Sequence, residues 1–242
     1  MTLRVSGVIA GYGSGDVLQE TTFELKEGTI GCIVGPNGAG KSTVLRTISG
    51  LLRPREGEIT LGDEPLHDKS PAAIVRAGIS QVPQTQGLFG NLTVRENVLM
   101  GAWTLRRQRK LVAARLSVVE NIFPIVAQRR HDKAGNLSGG QRRQVEFARA
   151  LMLRPRLVLL DEPSLGLDPQ NLVKLRESIQ TVHSTGATVL MVEQQVKFGL
   201  TIAHYGIVME RGGVVMAGPA HEILANPEMA SLYFGGSPGV HP

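Results

Sequence analysis

The feature that most constrains this chain is a glycine-rich loop at residues 35–43, which reads Gly-Pro-Asn-Gly-Ala-Gly-Lys-Ser-Thr. An apolar run at 29–34 precedes the loop, and a segment with helical spacing at 41–49 follows it. The pattern G-x-x-x-x-G-K-[S/T] predicts a phosphate-binding loop when it joins a buried strand to a helix, as it does here. Glycines let successive backbone N–H groups turn toward one centre, and the helix N-terminus adds its positive dipole end.

The side chains of this loop suit ATP and Mg²⁺. Lys41 is expected to reach the β- and γ-phosphates, and the Ser42 hydroxyl is expected to bind Mg²⁺. A plain glycine turn would explain the glycines but not a Lys-Ser pair at this offset. The residues predicted to contact nucleotide are Gly35, Pro36, Asn37, Gly38, Ala39, Gly40, Lys41, Ser42 and Thr43.

Two adjacent carboxylates follow a second apolar run. Asp161 and Glu162 come directly after Leu-Val-Leu-Leu at 157–160, which places them at the carboxyl end of a predicted buried strand. Open α/β sheets bind ligands at this edge. We expect Asp161 to serve Mg²⁺ and Glu162 to activate or position the water that attacks the γ-phosphate.

Composition excludes several classes of protein. With 242 residues and 42% hydrophobic residues, the chain can form an ordinary globular core, and its apolar runs are too short to span a bilayer. Cys32 is the single cysteine, so no disulfide framework is expected, and it is predicted to be a small buried strand residue. The start shows no secretory signal pattern, which favours the cytosol. The net charge is +5, and its densest cluster, at 106–110, is predicted to be a solvated helix face.

The order of predicted elements gives the fold class. Strands are predicted at 3–9, 18–25 and 29–34, helices at 93–100, 105–122 and 139–153, and further strands at 157–161, 187–192, 205–210 and 214–217, with a helix at 169–183 between them. We predict an α/β P-loop NTPase core with an N-terminal antiparallel β-subdomain and an inserted α-helical subdomain. The core is assigned to 1–85 and 155–234, the insertion to 86–154, and a flexible tail to 235–242.

A pentapeptide at 137–141, Leu-Ser-Gly-Gly-Gln, precedes a helical segment. With it the chain resembles the nucleotide-binding subunits of ABC transporters over nearly its whole length. The resemblance implies an ATPase that acts as a dimer, in which Ser138, Gly139, Gly140 and Gln141 face the nucleotide held by the opposite subunit. A hydroxyl, two glycines and a helix N-terminus suit a γ-phosphate. A simple N-cap by Ser138 would leave the paired glycines unexplained.

Further positions follow from the resemblance. Tyr12 matches the aromatic residue that stacks on adenine, Gln84 the glutamine whose oxygen joins the Mg²⁺ shell, and Asp168 the loop that crosses to the partner subunit. Asp168 is also a predicted N-cap for the helix that begins at Pro169. Gln194 stands where the family usually has a histidine that contacts the γ-phosphate. Because glutamine does not titrate near neutral pH, the rate of hydrolysis should not fall at acid pH through protonation at this position.

The resemblance is strongest to the ATPases of branched-chain amino-acid uptake, specifically the second ATPase of the pair. Gly-Tyr-Gly at 11–13, Leu-Thr-Val-Arg-Glu-Asn-Val at 92–98 and Val-Glu-Gln-Gln at 192–195 are similar to that group. It implies integral membrane permease subunits, an extracytoplasmic solute-binding protein, a second ATPase subunit of the same or another kind, no nucleic acid, and a peripheral position on the cytoplasmic membrane face. The alternatives are a urea or short-amide importer, or a soluble ABC ATPase that acts on nucleic acid or ribosomes.

Overall fold

The computed structural model describes residues 2–84, 87–227 and 229. Within them the chain forms, in order, β1 (Thr2–Tyr12), β2 (Gly15–Lys26), β3 (Ile30–Val34), α1 (Lys41–Ile48), β4 (Glu56–Leu61), β5 (Glu64–Pro65), α2 (Pro71–Arg76), β6 (Ile79–Val82), α3 (Val94–Met100), α4 (Arg109–Ile122), α5 (Ile125–Gln128), α6 (Gly139–Leu151), β7 (Leu157–Asp161), α7 (Pro169–Ser184), β8 (Thr188–Glu193), α8 (Val196–Ile202), β9 (Tyr205–Glu210), β10 (Gly213–Pro219) and α9 (Ala220–Ala225).

The chain divides into two compact units. One consists of Met1–Ile74 with Leu190–Pro242, and the other of Val75–Val189. The core and insertion boundaries predicted from the sequence stay a prediction, and the predicted tail at 235–242 lies outside the described residues.

The first unit contains the predicted antiparallel β-subdomain. Strand β1 pairs antiparallel with β2 on one side and with β4 on the other, in the order β2-β1-β4-β5. Alternate side chains of these strands are buried, among them Val5, Leu18 and Leu25, as a sheet with one covered face requires.

The same unit holds the strand that leads into the glycine-rich loop. Strand β3 pairs parallel with β9, and β9 pairs antiparallel with β10. All five residues of β3 are buried, which is the near-continuous apolar pattern of a strand covered on both faces. Cys32 is buried there as predicted, and burial raises the pKa of its thiol well above the usual value, with the negative charge of Glu193 adding to the shift.

The second unit combines parallel strands with the predicted helices. Strand β6 pairs parallel with β7, and α6 packs against α3, α5 and α7. The rings of Phe123 and Phe147 stack with their centroids 6.4 Å apart. Helix α3 begins with a capping box of Thr93 and Glu96, which satisfies two backbone donors that the helix would leave open.

The structure contains several short elements that the sequence does not predict, such as β6 and α8, and two differences have a clear local cause: the start of α4 and the presence of β4. Helix α4 begins at Arg109, not Leu105, because the Gln108 N–H donates to the Leu105 carbonyl at 2.7 Å and the chain before it turns with 3₁₀ geometry. Strand β4 was not predicted, since its polar residues hide the strand pattern. It forms because it pairs with β1, placing Ile59 opposite Val5.

Candidate functional site

The glycine-rich loop joins β3 to α1 as predicted, and Gly40 caps the helix with a left-handed backbone (φ 97°). Gly35 and Gly40 are restricted by close packing as well as by their positive φ angles, whereas Gly38 has open space around its Cα and is restricted by conformation alone. A Cβ on Gly35 would lie 2.2 Å from the Met209 carbonyl oxygen, and one on Gly40 would lie 2.8 Å from a Leu18 methyl carbon. A side chain at position 35 would therefore shift the loop, and one at position 40 would displace Leu18 and strain a left-handed backbone.

Lys41 lies against the loop that it follows. Its ammonium group donates to the carbonyl oxygens of Gly35 at 2.8 Å and Pro36 at 2.9 Å, and the residue is only 5% exposed. Pro36, Asn37 and Gly38 are exposed at the tip of the loop. The loop thus combines the buried positive charge of Lys41 with an exposed tip, and positive charge with backbone N–H groups is the usual environment of a bound phosphate.

Tyr12 ends β1 in the same unit and remains 48% exposed. Arg46 of α1 donates to the Tyr12 hydroxyl at 2.8 Å, and its guanidinium carbon lies 5.8 Å from the ring centroid. The ring is thereby fixed with much of its surface open, as a stacking platform must be. Its contact with adenine stays a prediction.

Gln194 follows the buried strand β8 and is exposed, whereas Glu193 before it is buried. An exposed amide at this point of the chain can donate a hydrogen bond to a ligand, and it cannot titrate near neutral pH. The role assigned to Gln194 stays a prediction.

In the second unit, Asp161 and Glu162 lie where the sequence predicts them, at the carboxyl end of β7. The four residues before them are fully buried, and both carboxylates are partly exposed. Glu162 has a left-handed backbone (φ 42°), a conformation that costs free energy in a residue with a side chain and that is found at functional sites.

Gln84 meets this carboxylate although it is far away in sequence. Its side-chain nitrogen donates to Glu162 Oε2 at 2.7 Å. Because the amide nitrogen is used in this bond, the amide oxygen is the atom left to accept a hydrogen bond or to bind a cation. That orientation agrees with the Mg²⁺ role predicted for Gln84, which stays a prediction.

The chemistry of the predicted metal ligands also fits Mg²⁺. Within the described ranges, His, Cys, Asp and Glu do not gather in the groups of three that could hold a metal ion by themselves. The ligands predicted for Mg²⁺ are a hydroxyl, an amide oxygen and a carboxylate, from Ser42, Gln84 and Asp161. Mg²⁺ prefers such oxygens and usually completes its shell with phosphate and water.

The pentapeptide opens α6. Ser138 is the N-cap, and a capping box is complete, since the Gln141 N–H donates to the Ser138 hydroxyl at 3.4 Å and the Ser138 N–H donates to the Gln141 side chain at 3.0 Å. Ser138 and Gly139 are exposed. A Cβ on Gly140 would lie 2.5 Å from Asn171 Oδ1, whereas one on Gly139 would have its nearest neighbour at 4.0 Å. Packing within the chain thus explains Gly140 and leaves Gly139 unexplained.

Asp168 caps α7, as predicted. The Asn171 N–H donates to Asp168 Oδ1 at 3.0 Å, and this bond is the main cause that lowers the pKa of the Asp168 carboxyl. The Asn171 side chain bonds the other carboxylate oxygen of Asp168 at 2.5 Å. Asn171 therefore contacts both the predicted crossing loop and Gly140, a role for which the sequence offers no signal besides its position after an N-cap.

The sequence gives no signal for an ion pair between Arg143 and Glu146 of α6. Arg143 donates to Glu146 at 2.8 Å and to the Pro83 carbonyl at 3.3 Å, so α6 contacts the segment that carries Gln84. Arg and Glu three residues apart on a helix usually lie on its solvated face. Their burial beside a site therefore becomes visible only in the folded structure.

Known proteins resemble this chain along most of its length. The family described as "ABC transporter" matches residues 18–165. The high-affinity branched-chain amino acid transport ATP-binding protein BraG of Pseudomonas aeruginosa is 36% identical over 225 residues, covering 93% of this chain and 96% of that protein. The probable branched-chain amino acid transport ATP-binding protein LivF of Archaeoglobus fulgidus is 32% identical over 240 residues, covering 96% and 98%.

A solved structure confirms the predicted fold class. The ADP conformation of MJ1267, an ATP-binding cassette of an ABC transporter, superposes with a TM-score of 0.87 at 26% identity, covering 98% of this chain and all of that one. Among the described helices, moreover, none has the length and apolarity needed to span a membrane. From the family match, the relatives and the fold, this chain belongs to the ABC transporter family, in which it is an ATP-binding and ATP-hydrolysing subunit.

Proposed function

We propose that this ATPase powers the uptake of branched-chain amino acids, as one of two ATPase subunits attached to permease subunits at the cytoplasmic face of the membrane. Two relatives with this transport function in their names align with almost the whole chain. Permease subunits and a solute-binding protein outside the membrane complete the proposed importer.

The observation that carries the dimeric mechanism is the exposed pentapeptide. Ser138, Gln141 and Gln144 line a cavity of about 380 Å³, and Arg129 and Lys174 line it as well. A hydroxyl, amides and two cations suit the phosphates of a second nucleotide. ABC ATPases dimerise, and we infer that the nucleotide facing this cavity is held by the opposite subunit.

Within each subunit, we assign the phosphates to the loop at 35–43, with Lys41 as the principal cation. Ser42, Gln84 and Asp161 are the oxygen ligands that we assign to Mg²⁺, which would neutralise negative charge on the phosphates. Glu162 accepts a proton from the attacking water or fixes its position. Closure of the dimer on ATP drives transport, and ATP hydrolysis returns the dimer to its open state.

We assign the surface around Gly87–Phe89 to binding of a helix from a permease subunit. Phe89 is 53% exposed, and its backbone is fixed by Asn97, which bonds both its N–H and its carbonyl. A neighbouring cavity of about 310 Å³ is lined by Gly87, Leu88, Arg142 and other residues of this unit. An exposed aromatic ring on a fixed backbone suits a helix that inserts an apolar face.

Substrate stimulation tests the proposed function. The chain is purified from membranes with its bound subunits and reconstituted in vesicles, and ATP hydrolysis is measured with the solute-binding protein and one candidate solute. Leucine, isoleucine or valine should stimulate hydrolysis, and Glu162→Gln should abolish the stimulation. Stimulation by urea or acetamide alone would assign the other importer class. ATP-dependent nucleic-acid binding without any membrane subunits would reject transport.

The residue at position 194 gives a prediction for the pH profile. Gln194 does not titrate near neutral pH, so a plot of log kcat against pH should show no fall caused by protonation of an imidazole at this position. Gln194→His should introduce such a fall near pH 6.5, the usual histidine pKa. The measurement is steady-state ATP hydrolysis between pH 5.5 and 9, with Gln195→His as the neighbouring control. An acid limb in the unaltered chain that disappears in Gln194→Ala would contradict the prediction.

A further inference from the structure

The strongest unassigned cluster lies in the second unit, between α6 and the segment before α3. Arg143 and Glu146 form an ion pair at 2.8 Å, and their side chains are only 11% and 10% exposed. Arg143 also donates to the Pro83 carbonyl at 3.3 Å. The pair therefore joins α6 to the residue that directly precedes Gln84.

Glu146 touches the same segment beyond Gln84. A Cβ on Gly87 would lie 2.2 Å from Glu146 Oε1 and 2.5 Å from the carboxyl carbon, so the carboxylate lies directly on the Gly87 backbone. The ion pair thus contacts the segment on both sides of Gln84, at Pro83 and at Gly87. A side chain at position 87 would have to displace this carboxylate.

The placement of the pair is costly in electrostatic terms. Burial is the main cause of the raised pKa of Glu146, opposed by the charges of Arg143 and Arg149. A buried pair of this kind adds little net stability, since desolvation of the two charges offsets their attraction. Its better supported use is to specify one local arrangement over others.

Gln84 carries the contact onward to the carboxylate assigned to catalysis. With the bond from Gln84 to Glu162 at 2.7 Å, the contacts run from Glu146 through Arg143 and the Pro83 backbone to Gln84, and end at Glu162. A catalytic base must be held within a fraction of an ångström of its productive position.

We propose that Arg143 and Glu146 are positioning residues for ATP hydrolysis: the pair fixes the backbone at Pro83 and Gly87 and so holds Gln84 against Glu162. The proposal rests on the roles assigned above to Gln84 and Glu162. It predicts that the pair acts on kcat and that its effect depends on Gln84.

A double-mutant cycle tests this dependence in the full chain, alone and in the membrane complex. Arg143→Gln should lower kcat about tenfold and leave the KM for ATP within about twofold. In a Gln84→Ala background, the same substitution should change kcat by less than about twofold, because the residue through which it acts is gone. Independent, multiplicative losses would mean that the pair has a structural role only.

A pair of glycine substitutions gives a second measurement that leaves both charges in place. Gly87→Ala should displace the Glu146 carboxylate and lower kcat to a similar extent, again only while Gln84 is present. Gly90→Ala is the matched control, since its Cβ would have its nearest neighbour at an ordinary 3.7 Å. Equal kcat for both variants would overturn the proposal, and Gly87→Ala decides the matter if Arg143→Gln does not fold.

Two further variants separate this inference from the function it rests on. Arg143→Lys, which keeps the positive charge and a donor group but loses the planar guanidinium, should restore part of the kcat lost in Arg143→Gln. If Glu162→Gln hydrolyses ATP normally, the assigned catalysis fails and the inference fails with it. If Glu162→Gln is inactive and the double-mutant cycle is multiplicative, the inference alone fails.

Discussion

Glu162→Gln should bind ATP with nearly unchanged affinity and lose at least about 100-fold in kcat, because a general base contributes roughly 10²–10⁴ to a rate. The substitution is nearly isosteric, and a glutamine oxygen can still accept the bond that Gln84 donates at 2.7 Å. What it removes is the negative charge and the proton acceptor. Since hydrolysis resets the proposed cycle, the variant should accumulate as an ATP-bound dimer.

Two measurements check this result. Single-turnover hydrolysis gives the loss in rate, and size-exclusion chromatography with and without ATP gives the dimer. Glu177→Gln is the matched control, since Glu177 is exposed on α7. Turnover close to that of the unaltered chain would remove Glu162 from the catalytic role. ATP-trapped dimers that form only with a second, different ATPase subunit would establish a heterodimer.

Lys41→Met should raise the Kd for ATP at least about 100-fold, because charge-assisted hydrogen bonds contribute about 1.5–3 kcal/mol each and a lysine at this position can make more than one to phosphate. Methionine keeps most of the side-chain length, so packing at this buried position changes little. The two carbonyl oxygens that Lys41 now contacts, those of Gly35 and Pro36, lose their donor.

Titration calorimetry with ATP and Mg²⁺ gives the affinity, and thermal unfolding without nucleotide shows whether the loop remains folded. Lys26→Met, at the exposed end of β2, is the control for loss of one positive charge. An affinity within about twofold of the unaltered chain, with an unchanged unfolding midpoint, would show that Lys41 does not bind phosphate.

The sequence was informative wherever a signal is local. The phosphate loop, the N-cap at Asp168 and the apolar strand before Asp161 all depend on residues a few positions apart. Such signals survive in a one-dimensional pattern because the backbone groups that they satisfy belong to the same turn or helix end. The same patterns, with the family resemblance, led to the ATPase assignment.

Prediction was weaker where an element depends on its partner. Strand β4, with its many polar residues, forms because β1 pairs with it. Helix ends are a separate difficulty even though they are local, because the apolar spacing around 105–108 is the same in the 3₁₀ turn as in the first turn of a helix. Strand pairing and helix ends are the features that periodicity describes least well.

By itself, therefore, the sequence determined which chemical groups this ATPase possesses: a lysine in a phosphate loop, two carboxylates after a buried strand, and a serine with two glycines at a helix start. Only the tertiary structure decided which of them meet. Gln84 reaches Glu162 across 78 positions, Arg46 fixes Tyr12, and Arg143 bonds the backbone at Pro83. These contacts join segments far apart in the chain, and their geometry exists only after the surrounding core has packed.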